Sequence, residues 1–258
     1  MISIKNPKQI EAMRKAGALL YEVYQELRKQ IRPGVSTAEL DAFAEQLMRK
    51  HHATPSCLGY QGFPATLCTS VDDQVVHGIP SPKQILKEGQ ILTIDSVLEL
   101  DGWMADSAFT VGVGAISDEA QRLIDVTEQC FWAGARQAVA GNRIGDISHA
   151  VQTYAESHGC GVVRDLTGHG IGRDMHEDPT VWNFGEPNHG MRLRPGMTIC
   201  IEPMITAGSY RVDLQSDDWC FRTHDHSLAA HYEHTVLIRE DGLPELLTYP
   251  GFTWGEGQ

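Results

Sequence analysis

Two stretches of this chain, 107 residues apart, open strands in the same way, and that repeat limits the folds the chain can take. Lys87-Glu-Gly-Gln-Ile-Leu-Thr-Ile-Asp95 resembles Arg194-Pro-Gly-Met-Thr-Ile-Cys-Ile-Glu202. Gly34 precedes Leu40 by six residues, as Gly141 precedes Ile147, Gly89 precedes Asp95 and Gly196 precedes Glu202. Strand-opening turns can resemble one another by chance, but a single shared offset favours an internal duplication. A length of 258 residues accommodates one large domain or two small ones. The repeat predicts one domain over residues 1–258, made of two pseudo-symmetric halves at about 1–113 and 114–250. Asp95 and Glu202 then occupy equivalent places, and a site between the halves collects both.

Apolar spacing predicts a helix from Ile10 to Ile31, stopped by Pro33-Gly34. A second helix is expected from Ser36, with Glu39 completing a capping box and Leu40, Phe43 and Leu47 facing inward. Later helices are expected after Ser117 and after Asp146, the last with Ile147, Val151 and Tyr154 inward. Residues 91–98, 105–113, 197–201 and 233–239 are rich in strand formers. Asp101-Gly102 is a strong two-residue hairpin signal. If those two residues form the loop, Leu100 faces Trp103 and Val97 faces Asp106. Asp95 and Asp106 then become diagonal neighbours, roughly 7–8 Å apart at the backbone, and converge from one face.

The net charge of −13 argues against nucleic acid or an anionic membrane surface as a partner. Arg28, Lys29 and Arg32 read as a solvated helix face, although a local basic patch stays open. No apolar run approaches the roughly 20 residues of a membrane span. Residues 1–8 lack the apolar core of a signal peptide, so a cytoplasmic location is expected. The six cysteines are scattered without a Cys-x-x-Cys pair and read as free thiols.

Four carboxylates sit in apolar strand contexts: Asp95, Asp106, Glu202 and Glu233. A carboxylate in a packed strand is costly unless it is paired or bound to a metal. One alone would read as a surface acid. Four, two of them at matching repeat positions and with few Lys or Arg nearby, favour metal ligation. His169 lies in Gly168-His-Gly-Ile-Gly172, whose glycines permit a tight turn that presents the imidazole. The glycine spacing does not fit a phosphate loop. His77 and His176, taken singly, would more often be structural. Four carboxylates and one imidazole suit a pair of divalent ions of the Mn, Fe, Co or Zn kind rather than a structural zinc. Such a pair holds hydroxide at neutral pH and serves amide or ester hydrolysis.

The ordered set His77-Gly-Ile-Pro, Asp95, Asp106, Gly168-His169-Gly, His176, Ile201-Glu202-Pro-Met and Tyr232-Glu233-His-Thr resembles the methionine aminopeptidases of the bacterial, type I kind, over about residues 4–250. The resemblance implies the α/β pita-bread fold, internally duplicated, with antiparallel sheets and helices outside. It implies that Asp95, Asp106, His169, Glu202 and Glu233 hold two divalent ions (Co, Mn, Fe or Zn), with Asp106 and Glu233 bridging. Glu202 would also accept a proton from the attacking water, and His77 and His176 would contact the substrate and stabilise the tetrahedral intermediate. Residues matching Cys57, Tyr60, Phe63, Cys68 and Trp219 form the family's methionine pocket, whose sulfur and aromatics suit a thioether. Without the resemblance these five would read as ordinary core. Met175 departs from the family, which commonly has an aromatic residue there.

The implied activity is removal of the initiator methionine before a small second residue. The implied substrates are nascent polypeptide N-termini, met at the ribosome, and the implied state is a monomer. Two other readings stand beside it. One is an Xaa-Pro peptidase of the same fold, whose members usually carry an additional N-terminal domain. The other is a non-catalytic binding module, which typically lacks metal ligands that this chain retains.

Overall fold

The structure is a computed structural model and describes residues 2–255. Helix α1 spans Pro7–Arg28. Its start is fixed by Asn6, whose side chain accepts from the backbone of Lys8 and Gln9, with proline at the first turn. It therefore begins three residues before Ile10 and ends before Ile31. Helix α2 spans Thr37–Lys50, with the expected capping box: the Ser36 N–H donates to Glu39 Oε2 at 2.7 Å. Helix α3, Asp118–Ala135, is capped by Ser117. Helix α4 spans Ile144–Ser157 and starts earlier than expected. Asp146 is its third residue rather than its cap, and its carboxylate accepts from the Arg143 N–H at 2.7 Å.

The strands Ile91–Leu100 and Trp103–Gly112 form the expected hairpin. Asp101 and Gly102 both have positive φ, 53° and 78°, as a two-residue Asp-Gly turn requires. Leu100 pairs with Trp103 and Val97 with Asp106, while Asp95 lies opposite Ala108. Among the described residues the main sheet has nine strands. Its central path runs Thr54–Pro55, Ile91–Leu100, Trp103–Gly112, Glu233–Leu237, Thr198–Ile201, Gly168–Gly170 and Glu177–Val181, and every pairing is antiparallel. Helices α1 and α2 cover the hairpin through Leu20, Val23, Leu27, Leu40 and Met48, which meet Leu92, Ile94 and Phe109. Phe131, Trp132 and Ile147 from α3 and α4 pack on Ile199, Ile201 and Val236. Burying such faces is the main favourable contribution to the fold.

The 107-residue offset recurs in the hydrogen bonding. Gly34 N–H donates to Leu86 O, and Gly141 N–H to Leu193 O. Isolated bridges join Ser36 to Ile85 and Arg143 to Arg192. Pro55 pairs with Leu98 and Val162 with Ile205, the same register in both places.

Residues 168–170 differ from the expected glycine turn. They form a strand, and neither Gly168 nor Gly170 has positive φ. Glycine is required there by close approach: a Cβ on Gly168 would sit 2.3 Å from Cys200 O, and one on Gly170 2.2 Å from Asp178 O. The backbone at each glycine, on either side of His169, packs too tightly for a side chain.

Candidate metal centre

All twelve residues expected at a site line one cavity of about 610 Å³. Asp95, Asp106, His169, Glu202 and Glu233 line it with His77 and His176, next to Cys57, Tyr60, Phe63, Cys68 and Trp219; Cys68 pairs with Asp95 across neighbouring strands. Asp106 and Glu233 come from the two inner strands, which meet at the sheet centre where Glu233 pairs with Ala108. That junction is cross-linked. The Asp106 N–H donates to Thr235 Oγ1 at 3.1 Å, that hydroxyl donates to Asp106 O at 2.9 Å, and Ser107 Oγ donates to Glu233 O at 2.7 Å.

His169 is oriented by its own backbone: Nδ1 lies 2.9 Å from Gly170 O. A nitrogen that donates to a carbonyl leaves the other, Nε2, with its lone pair facing the site. Nε2 lies 3.5 Å from both Asp106 Oδ2 and Glu202 Oε1. Asp106 Oδ1, Glu202 Oε1 and Glu233 Oε1 are buried and have no hydrogen-bond partner among the described residues. Burial, then repulsion from neighbouring carboxylates, pushes Asp95, Glu202 and Glu233 well above the usual carboxylate range. No lysine or arginine lines the cavity to compensate them. Ligand atoms of Asp106, His169, Cys200 and Glu233 all lie within 4.8 Å of one another. An oxygen-rich set of buried, unpaired carboxylates with one aimed imidazole fits divalent metal, which supplies the missing positive charge.

Two members of this surrounding were not singled out from the sequence. Cys200, among the free thiols, lies in the ligand cluster. Burial and the nearby carboxylates push its thiol up, so it stays protonated, and its Sγ lies 3.8 Å from Thr235 Oγ1. It is thereby a neighbour of the cluster rather than a thiolate ligand. The signal was weak because a cysteine in a strand normally reads as core. His231, two residues before Glu233, is fully buried and also lines the cavity.

His77 carries a positive φ of 57°, unusual for a residue with a Cβ. Its ring hydrogen-bonds the Trp219 backbone, and burial lowers its pKa. Such local strain concentrates at functional sites. His176 sits at the exposed rim, with Nδ1 2.6 Å from the Tyr60 hydroxyl. Desolvation by the walls and the nearby His169 lower it to about 4. Cys57, Phe63, Cys68 and Met175 are buried together, with Tyr60 and Trp219 packed against them. Phe63 and Trp219 meet edge to face, with ring centroids 5.1 Å apart.

The sequence profile of metallopeptidase family M24 matches residues 11–240. The methionine aminopeptidase of Clostridium acetobutylicum is 52% identical over 96% of this chain and 99% of its own length. Methionine aminopeptidase 1 of Bacillus subtilis is 46% identical over the same shares. The crystal structure of methionine aminopeptidase from Rickettsia prowazekii superposes with a TM-score of 0.95 at 40% identity, covering 96% of this chain and 100% of that one. The prolidase from Pyrococcus horikoshii, at 21% identity and a TM-score of 0.77, covers 95% of this chain and 63% of its own and shares the fold alone. This chain belongs to metallopeptidase family M24, in its methionine aminopeptidase branch.

Proposed function

We propose that Asp95, Asp106, His169, Glu202 and Glu233 hold two divalent ions, with Asp106 and Glu233 shared between them, at the site where this metallo-aminopeptidase removes initiator methionine. The observation that carries the reading is the set of three buried carboxylate oxygens, on Asp106, Glu202 and Glu233, that no described residue satisfies. Such a metal pair, when bound, supplies Lewis-acid polarisation and activates water at neutral pH. Glu202 takes the proton of the attacking water; its raised proton affinity suits an acceptor. His77 and His176, whose pKa values are lowered, donate neutral N–H groups to the peptide carbonyl as charge develops on its oxygen. Cys57, Tyr60, Phe63, Cys68 and Trp219 enclose the unbranched thioether and exclude water from it. Met175, 6% exposed on the same wall, adds a flexible thioether surface to that pocket.

The chain's two halves, about 1–113 and 114–250, each bring two carboxylates to this one site. Its partners in this reading are nascent polypeptide N-termini at the ribosome, its location cytoplasmic and its state monomeric. No helix among the described residues is long and apolar enough to cross a membrane. The assay measures release of the first residue from Met-Gly, Met-Leu and Xaa-Pro peptides, with Mn, Fe, Co or Zn added and then chelated. Metal-dependent cleavage of Met-Gly, with little of Met-Leu, is expected. Preference for Xaa-Pro would turn the reading to a prolidase-like peptidase, and no metal-dependent cleavage of any peptide would leave a binding module.

A further inference from the structure

His231 ends the strand Ala229–His231, two residues before Glu233, and is 1% exposed. Its ring lines the same cavity as the carboxylates. Neither ring nitrogen has a hydrogen-bond partner among the described residues. Nε2 lies 3.9 Å from Glu233 Oε2, and the ring is within electrostatic reach of His77. Met204 pairs with it in an apolar cluster with Ala229, Val76 and Val163, and the Thr110 hydroxyl bonds its backbone N–H and C=O. A leucine or methionine would fit that lining without leaving polar atoms unpaired.

Buried polar atoms in native proteins are almost always hydrogen-bonded, and an exception calls for a reason. Here two such atoms share one ring, at the wall of the cavity that holds the chemistry. A neutral imidazole offers one donor and one acceptor. The 3.9 Å gap to Glu233 exceeds a hydrogen bond, and a small rotation of either side chain would be needed to close it. Glu233 Oε1 has no hydrogen-bond partner among the described residues, so a donor on Oε2 would help fix the plane of its carboxylate.

We propose that His231 is a positioning residue of the hydrolytic site: one ring nitrogen orients the Glu233 carboxylate, and the other faces the cavity beside His77. The inference rests on Glu233 being a metal ligand, as proposed above. Partners of this kind are worth about 10–100-fold in metal affinity or activity.

Three variants test it: His231→Leu, His231→Gln and, as a control for the site itself, Glu233→Gln. Each is measured for Mn(II) affinity by calorimetry, for kcat and KM on a Met-Gly peptide, and for the Tm of the metal-free protein. His231→Leu is expected to lose about 10–100-fold in Mn(II) affinity. Its kcat should fall at least about tenfold with KM nearly constant, and its metal-free Tm should hold or rise because two unpaired polar atoms are gone. His231→Gln, which keeps a donor and an acceptor, should recover Mn(II) affinity to within about threefold. The proposal is overturned if His231→Leu binds Mn(II) and turns over like the parent, if glutamine is as damaging as leucine, or if the loss follows a drop in Tm. If Glu233→Gln itself keeps both affinity and turnover, the metal-ligand reading fails. If Glu233→Gln loses both while His231→Leu is normal, only the role of His231 fails.

Discussion

The strand that carries Asp95 and the segment that carries Glu202 start alike and end differently. Both follow a positive-φ glycine, Gly89 or Gly196, and both later pair in the same register with a two-residue strand, at Leu98 with Pro55 and at Ile205 with Val162. Between those points the first runs unbroken from Ile91 to Leu100, whereas the second is cut into Thr198–Ile201 and Met204–Thr206. Pro203 stands at the break, where the equivalent position in the first copy is Ser96. Proline donates no ladder bond, so the sheet divides there. The cut places Glu202 at a strand end on the cavity wall and sends the following strand to a separate three-stranded sheet with Ala229–His231. One frame thus yields a hairpin pair of carboxylates in one copy and, in the other, two carboxylates from strands far apart in sequence.

Exchanging the two positions tests this directly. Ser96→Pro puts proline in a strand that is flanked on both sides and removes the bond from Ser96 Oγ to Thr66 O. We expect a loss of about 4 kcal/mol or more in denaturant unfolding, in the range of the most damaging substitutions. Pro203→Ser should cost only about 0.4–1 kcal/mol, the entropic advantage of proline in a conformation it already fits. Similar costs at both positions would show that the break does not depend on Pro203.

The inner strands lead to the next effect. Asp106→Asn and Glu233→Gln, one from each copy, should each reduce kcat/KM by more than about 100-fold, beyond what outer partners of a metal typically contribute. Retained turnover in either variant would count against a shared metal pair.

Proton linkage separates the carboxylates from the buried imidazoles. Asp95, Glu202 and Glu233 are raised by burial and by their neighbours' charge, so the metal-free native state binds more protons than the unfolded chain above the ordinary carboxylate range. Their contribution to stability therefore falls as pH rises. His231 and His234, lowered to about 3 by burial, act the other way: their contribution is present above about pH 6.5 and is lost as pH falls toward 3. Above pH 6.5 the imidazole contribution no longer changes, so the metal-free Tm should fall rather than rise with increasing pH. Saturating Mn(II) should flatten that drop; an unchanged slope with metal would break the link between these carboxylates and the ion.

The smallest expected difference lies in the caps. Ser36 both accepts from and is bonded by Glu39, whereas Arg143 offers no side-chain acceptor and only Asp146 reaches back. Glu39→Ala and Asp146→Ala should each cost about 0.5–2 kcal/mol in thermal unfolding. The Asp146 variant should lie at the upper end, because that carboxylate also accepts from Asn188 N–H at 2.7 Å.

Much of this was legible in the residues because it depends on local rules. The Asp101-Gly102 turn set the hairpin register, and with it the diagonal placement of Asp95 and Asp106, since side-chain direction in a strand alternates with period two. The capping residues Ser36, Glu39 and Ser117 marked helix starts, while α4 was displaced because Asp146 reaches back from inside its helix. Gly168 and Gly170 misled for the opposite reason: their need for glycine comes from the carbonyls of Cys200 and Asp178, which no local pattern reveals. The sequence by itself determined the frame and the identity of the carboxylates, through turn chemistry, periodicity and a constant offset. Only the tertiary structure decided that His169 Nε2 faces Asp106 and Glu202, that Cys200 sits within the ligand cluster, and that the His231 ring is buried without a hydrogen-bond partner among the described residues. Those facts depend on which strands meet across more than a hundred residues of chain, and burial and contact distance exist only once they have met.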